Sequence, residues 1–99
     1  MEKITRVVFR TYNDGETVAM FPEITDKEGR TMGYSHNSRH FFVEYRRIMR
    51  LTKPAIRKEY IALFRELKDV GFARLQVYKR ARIKTSYIID KQYQYNDNK

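Results

Sequence analysis

Hydrophobic positions along this chain recur first with a strand period and later with a helix period. Residues 3–12 (KITRVVFRTY) concentrate β-branched and aromatic side chains, and Ile4, Val7, Val8 and Phe9 predict a strand with imperfect alternation. Asn13-Asp14-Gly15-Glu16 follows, and Asp-Gly between two apolar runs is a strong hairpin signal. Residues 17–21 (TVAMF) form the return strand, which Pro22 should stop because it has no N–H for the ladder. Residues 23–33 are polar with two glycines and predict an exposed loop. Residues 34–40 (YSHNSRH) begin as a third strand and then turn. The stretch 41–52 admits two readings. Phe41, Phe42, Tyr45, Ile48 and Met49 fit a helical stripe, whereas 46–52 also fits a short strand. We favour one helical turn to about Tyr45 and then a strand.

The clearest helix is 54–70. Pro54 suits a first turn, and Tyr60, Leu63, Phe64, Leu67 and Val70 fall on one face of a 3.6-residue period. Gly71 is placed to take positive φ at the C-terminal end, and Phe72 to pack back on the last turn. Residues 73–80 alternate, with Leu75 and Val77 inward, as a half-buried strand does. Residues 81–89 extend that strand or pair with it, and 90–99 is a polar tail expected to fray. The expectation is an α+β fold: an antiparallel sheet of four to five strands with one amphipathic helix packed on one face. A single domain would span 1–89, with 90–99 as its C-terminal tail.

Composition adds a partner class. The chain has 99 residues, 41% of them apolar, enough for one small core. Its net charge of +9 is unevenly placed. Residues 1–44 hold six Lys/Arg and seven Asp/Glu, whereas 45–99 hold fifteen and five. No acid interrupts Arg46, Arg47, Arg50, Lys53, Arg57 and Lys58, nor Arg74, Lys79, Arg80, Arg82 and Lys84. Such polarity attracts polyanions, of which nucleic acid is the commonest. Cysteine is absent, which excludes disulfides and thiolate metal sites and suits a reducing compartment. No run approaches the roughly 20 apolar residues that cross a bilayer. The expected location is therefore the cytoplasm of a host cell, with no membrane partner.

Four segments, in order, carry a resemblance: VVFRTYNDGETVAMFPE at 7–23, YSHNSRH at 34–40, TKPA at 52–55 and EYIALFRELKDVGF at 59–72. They resemble a family of small, mostly uncharacterised proteins encoded by phages and mobile elements of gut bacteria. Its pattern is strand, Asp-Gly, strand ending in Phe-Pro-Glu, Tyr-x-His-x-Gly-x-His, Thr-Lys-Pro-Ala, and an amphipathic helix closed by Gly. Ser38 stands where that pattern has Gly, Ile56 where a Thr usually caps the helix, and 81–99 run past the usual end. The resemblance implies the order of elements and a phage or mobile-element origin. It implies no activity.

Two function classes follow. The first is a small basic non-enzymatic protein that binds DNA or RNA through the backbone, with weak sequence preference. Its contacts would be Arg46, Arg47, Arg50, Lys53, Arg57 and Lys58, supported by Arg74, Lys79, Arg80, Arg82 and Lys84. Arg57 and Lys58 oppose the dipole of the helix they begin, which a bound anion would offset. The alternative is a protein-interaction module, such as a phage-encoded inhibitor or scaffold docking on a host defence or nucleic-acid-processing protein. There Tyr87, Ile88, Ile89, Tyr93 and Tyr95 would dock, or would form a homodimer surface. His36 and His40 have a spacing that could hold a metal on a helix, but Ser35, Asn37 and Ser38 are turn formers and no carboxylate completes the set, so a metal site is not expected. Their plain reading is a structured turn, and a histidine-dependent nuclease is a distant third. Glu23, Asp26 and Glu28 lack the alternation of a calcium loop and read as a solvated loop. No cofactor motif is present.

Overall fold

The computed structural model describes residues 4–78. Its strands are β1 (Thr5–Tyr12), β2 (Thr17–Thr25), β3 (Thr31–Ser35), β4 (Arg39–Val43), β5 (Thr52–Pro54) and β6 (Leu75–Tyr78). Its helices are α1 (Tyr45–Leu51) and α2 (Arg57–Asp69). The fold is α+β. The sheet runs β4-β3-β2-β1-β5, with every neighbour antiparallel, and β6 joins β1 in parallel. β5 and β6 divide β1 between them: β5 pairs with Arg10–Tyr12 and β6 with Thr5–Val8. The parallel pairing departs from the all-antiparallel expectation. It arises because β5 already runs against β1, and α2 then delivers the chain to the Thr5 end of β1, from which β6 runs alongside it.

The predicted Asp-Gly hairpin is present. Gly15 takes φ 95°, its N–H donates to the Tyr12 carbonyl at 2.9 Å, and Asp14 Oδ1 accepts the Glu16 N–H at 2.9 Å. Pro22 does not end β2. The strand continues to Thr25 through a register shift against β3 that lies between Phe21 and Thr25, a place where a missing N–H is tolerated. The loop expected at 23–33 contracts to a turn at 26–30, and all five residues of β3 are buried. Gly33 belongs to that strand: a Cβ there would lie 2.5 Å from Cε1 of Phe41 on β4. Phe41 and Phe42 therefore sit on a strand, not in a helical turn.

Residues 46–51 are not a strand, and strand begins only at Thr52 with β5. They belong to α1 (Tyr45–Leu51), because Tyr45, Ile48 and Met49 follow the i, i+3, i+4 spacing and pack on Val18 and Met20 of β2. A strand would have placed Arg46, Ile48 and Arg50 on one face and carried charge inward with the isoleucine. Alternate β2 residues point the other way, and Ala19 and Phe21 meet Leu63 and Leu67 of α2. The sheet thus carries α2 on one face and the short α1 on the other, with β5 linking them around its edge. Pro54 lies in β5, not in the first turn of the helix, and Val70 is exposed. Gly71 takes φ 125° as expected, and Phe72 stacks on Phe21 at 4.9 Å. No described helix is long and apolar enough to cross a membrane.

Candidate nucleic-acid interface

The first basic run wraps one edge of the sheet. α1 turns Tyr45 and Ile48 inward, which leaves Arg46, Arg47 and Arg50 exposed on its outward side. Lys53 is exposed on β5, and Arg57 and Lys58 are exposed in the first turn of α2. Among the described residues, none of these six cations makes a side-chain hydrogen bond or an ion pair. The second run only partly joins them. Arg74 precedes β6, and its carbonyl accepts the Thr5 N–H at 2.8 Å. Lys53 is opposite Thr11 and Leu75 opposite Thr5, so Arg74 shares the β1 edge but stands about 20 Å from Lys53 at the usual strand rise. Lys79, Arg80, Arg82 and Lys84 lie outside the described residues, as do Tyr87, Ile88, Ile89, Tyr93 and Tyr95.

Electrostatics at the start of α2 differ from the sequence reading. Ile56 is the N-cap residue and offers no side-chain acceptor. Glu59 supplies one instead: its carboxylate accepts the Ile56 N–H at 2.9 Å and the Thr11 hydroxyl at 3.1 Å. These hydrogen bonds, the Ile56 amide foremost, hold Glu59 below the usual carboxylate range, with help from nearby Lys53 and Lys58. The helix start is therefore already served by an anion, and Arg57 and Lys58 do not require one to offset the dipole.

Beside the rim, between β5 and β6, lies a cleft of about 940 Å³. Phe9, Tyr45, Met49 and Tyr60 give it apolar walls, and Arg10 and Arg57 line it as well. Leu51 and Ile56, 50% and 55% exposed, stand among the cations. Sequence reading missed both the cleft and the exposed aliphatics, because each depends on α1 being a helix.

His36 meets a partner that local sequence did not offer. Glu66 on α2 reaches the β3–β4 turn, where the Tyr34 hydroxyl donates to its Oε2 at 2.6 Å and His36 Nδ1 lies 3.0 Å from its Oε1. Arg39 donates to the Tyr34 hydroxyl at 3.3 Å and stands 4.0 Å from the carboxylate. The His40 ring meets the Tyr34 ring edge-on at 4.9 Å. The Tyr34 hydrogen bond, then that from His36, holds Glu66 below the usual carboxylate range against the opposing effect of burial. Donation to Glu66, then burial, raises Tyr34 above the ordinary phenol range. Glu66 thus partners His36 and not His40. Among the described residues, no group of His, Cys, Asp and Glu could hold a metal ion. Asp26 accepts the Glu28 and Arg30 N–H groups and pairs with Arg30, so it structures the β2–β3 turn.

No family model, curated protein or solved structure matches this chain.

Proposed function

We propose that the protein binds nucleic acid through the rim formed by α1, β5 and the start of α2. One observation carries this reading. Arg46, Arg47, Arg50, Lys53, Arg57 and Lys58 are all exposed, and among the described residues none makes a side-chain hydrogen bond or a close ion pair, Lys53 and Lys58 merely lying near Glu59. Cations that folding leaves without a hydrogen bond or a close ion pair stay available to a polyanion, and they displace its counterions on contact. Contacts of this kind go to phosphates, so affinity exceeds sequence discrimination. A phage or mobile-element origin is compatible with a small accessory protein of this kind.

The test is the variant Arg46→Glu/Arg47→Glu/Arg50→Glu. All three side chains are exposed, so the thermal midpoint should hold while affinity for labelled DNA and RNA falls at least tenfold. Unchanged affinity in the folded variant overturns the reading. A second reading is supported by Leu51, Ile56 and the apolar cleft, which suit a protein partner better than a phosphate backbone. Under it the same rim docks on an acidic protein surface, and Leu51→Ser/Ile56→Ser weakens that contact while leaving nucleic-acid affinity intact.

A further inference from the structure

The β3–β4 turn and α2 bring together a base, an orienting carboxylate and an exposed cation. His36 and Glu66 are thirty residues apart in sequence and 3.0 Å apart in space. An ionised carboxylate can only accept, so the proton of that hydrogen bond sits on His36 Nδ1. Nε2 is then the nitrogen left for other partners, and none engages it among the described residues. The side chain is 79% exposed. This is the arrangement of a general base held in one tautomer and orientation by an acid behind it. Glu66 is itself fixed, 23% exposed and gripped by Tyr34.

Arg39 adds a second observation. It takes φ 56°, a left-handed conformation uncommon for any residue but glycine. The other two hairpin turns place Gly15 and Gly29 at their positive-φ positions. Here an arginine occupies the strained position, with its guanidinium beside Tyr34 and Glu66 and 68% exposed. A strut between α2 and the turn explains Tyr34 and Glu66. It does not explain an exposed imidazole nitrogen and an exposed guanidinium gathered at the same turn, beside which His40 of β4, also exposed, lies against the Tyr34 and Phe72 rings.

We infer that this cluster is a metal-independent site for cleaving RNA by transesterification. That reaction asks little of a protein. The nucleophile belongs to the substrate, so no activated serine or cysteine is required, and an open surface suffices. His36 Nε2 takes the proton of a ribose 2′-hydroxyl as its oxygen bonds to the adjacent phosphorus. The bond from phosphorus to the 5′-oxygen breaks, and His40, protonated, gives that oxygen a proton. Arg39 faces the negative charge gathered on the non-bridging oxygens. The products are a 2′,3′-cyclic phosphate and a 5′-hydroxyl, and solvent restores both imidazoles. Glu66 is a positioning residue. The inference rests on the polyanion reading for substrate capture.

The experiment incubates the full chain with a fluorescent single-stranded RNA and with DNA of the same sequence, in EDTA. Binding is followed by anisotropy and products by gel and mass. We expect RNA fragments ending in 2′,3′-cyclic phosphate, DNA bound but intact, and at least about a 100-fold rate loss in His36→Gln and in His40→Gln. Both variants should remain folded and still bind RNA, since capture is assigned to the rim cations. Glu66→Gln should lower the turnover rate while leaving the apparent KM in place. RNA that is bound but uncut overturns the site and spares the binding reading. Cleavage unaffected by His36→Gln overturns it as well, and absence of both binding and cleavage overturns both.

Discussion

Arg10 and Arg50 flank the same end of α1, yet only Arg10 is held there by hydrogen bonds. Arg10 is buried, and its guanidinium donates to the Met49 carbonyl at 3.1 Å, the Thr52 carbonyl at 2.8 Å and the Thr52 hydroxyl at 3.0 Å. It serves carbonyls that the helix end leaves without partners. Arg50, one residue past Met49, projects outward. The contrast extends across the described residues. Arg6 pairs with Glu23, Arg30 with Asp26 and Glu28, and Arg39 with Tyr34 and Glu66. Every arginine of residues 1–44 makes a hydrogen bond or a close ion pair, whereas no basic residue of 46–58 makes either. A basic residue that folding already uses says little about partners, and one that folding leaves alone is informative.

Replacing the engaged cation should have the largest effect. Arg10→Met removes hydrogen bonds from a charged donor and leaves buried carbonyls unserved, so we expect a loss of about 2–3 kcal/mol in urea unfolding. Arg50→Met should stay within about 0.5 kcal/mol of wild type, as exposed substitutions do. Equal losses from the two variants would erase the distinction between them.

A smaller effect concerns the acids that serve the structure. Glu59 and Glu66 have folded-state pKa values depressed by the hydrogen bonds they accept. The stabilisation this gives is fully present above the unfolded carboxylate value of about 4.3 and is lost as pH falls through the lower folded values. Stability should therefore decline on the acid side of that value. Glu59→Gln and Glu66→Gln should each flatten the decline in melts recorded across that range. A profile unchanged by both substitutions would mean that neither carboxylate is linked to folding.

How much of this was legible in the sequence depends on how local each cause is. The first hairpin is written in Asp14-Gly15, and α2 in the spacing of Tyr60, Leu63, Phe64 and Leu67. β3 is not, because Thr31, Met32 and Gly33 look like loop residues until Phe41 is laid over the glycine. α1 misleads because Arg46, Ile48 and Arg50 recur with a strand period, while the pairing of Ile48 with Tyr45 that decides the matter depends on Val18 and Met20 beneath them. The rim cations were legible as a run, but their lack of partners was not. The cluster around Glu66 left no local trace, since α2 supplies its carboxylate from thirty residues beyond His36.

The most direct test of the central claim is the salt dependence of nucleic-acid affinity, measured by anisotropy for the wild type and for the Arg46→Glu/Arg47→Glu/Arg50→Glu variant. If four to six rim cations meet phosphates on a single strand, log affinity should fall against log salt with a slope of about −3 to −4. The variant should bind more weakly with a slope shallower by about 2, the share of three lost contacts. A wild-type slope near zero, or equal slopes for both proteins, would contradict the assignment of the rim as the nucleic-acid surface.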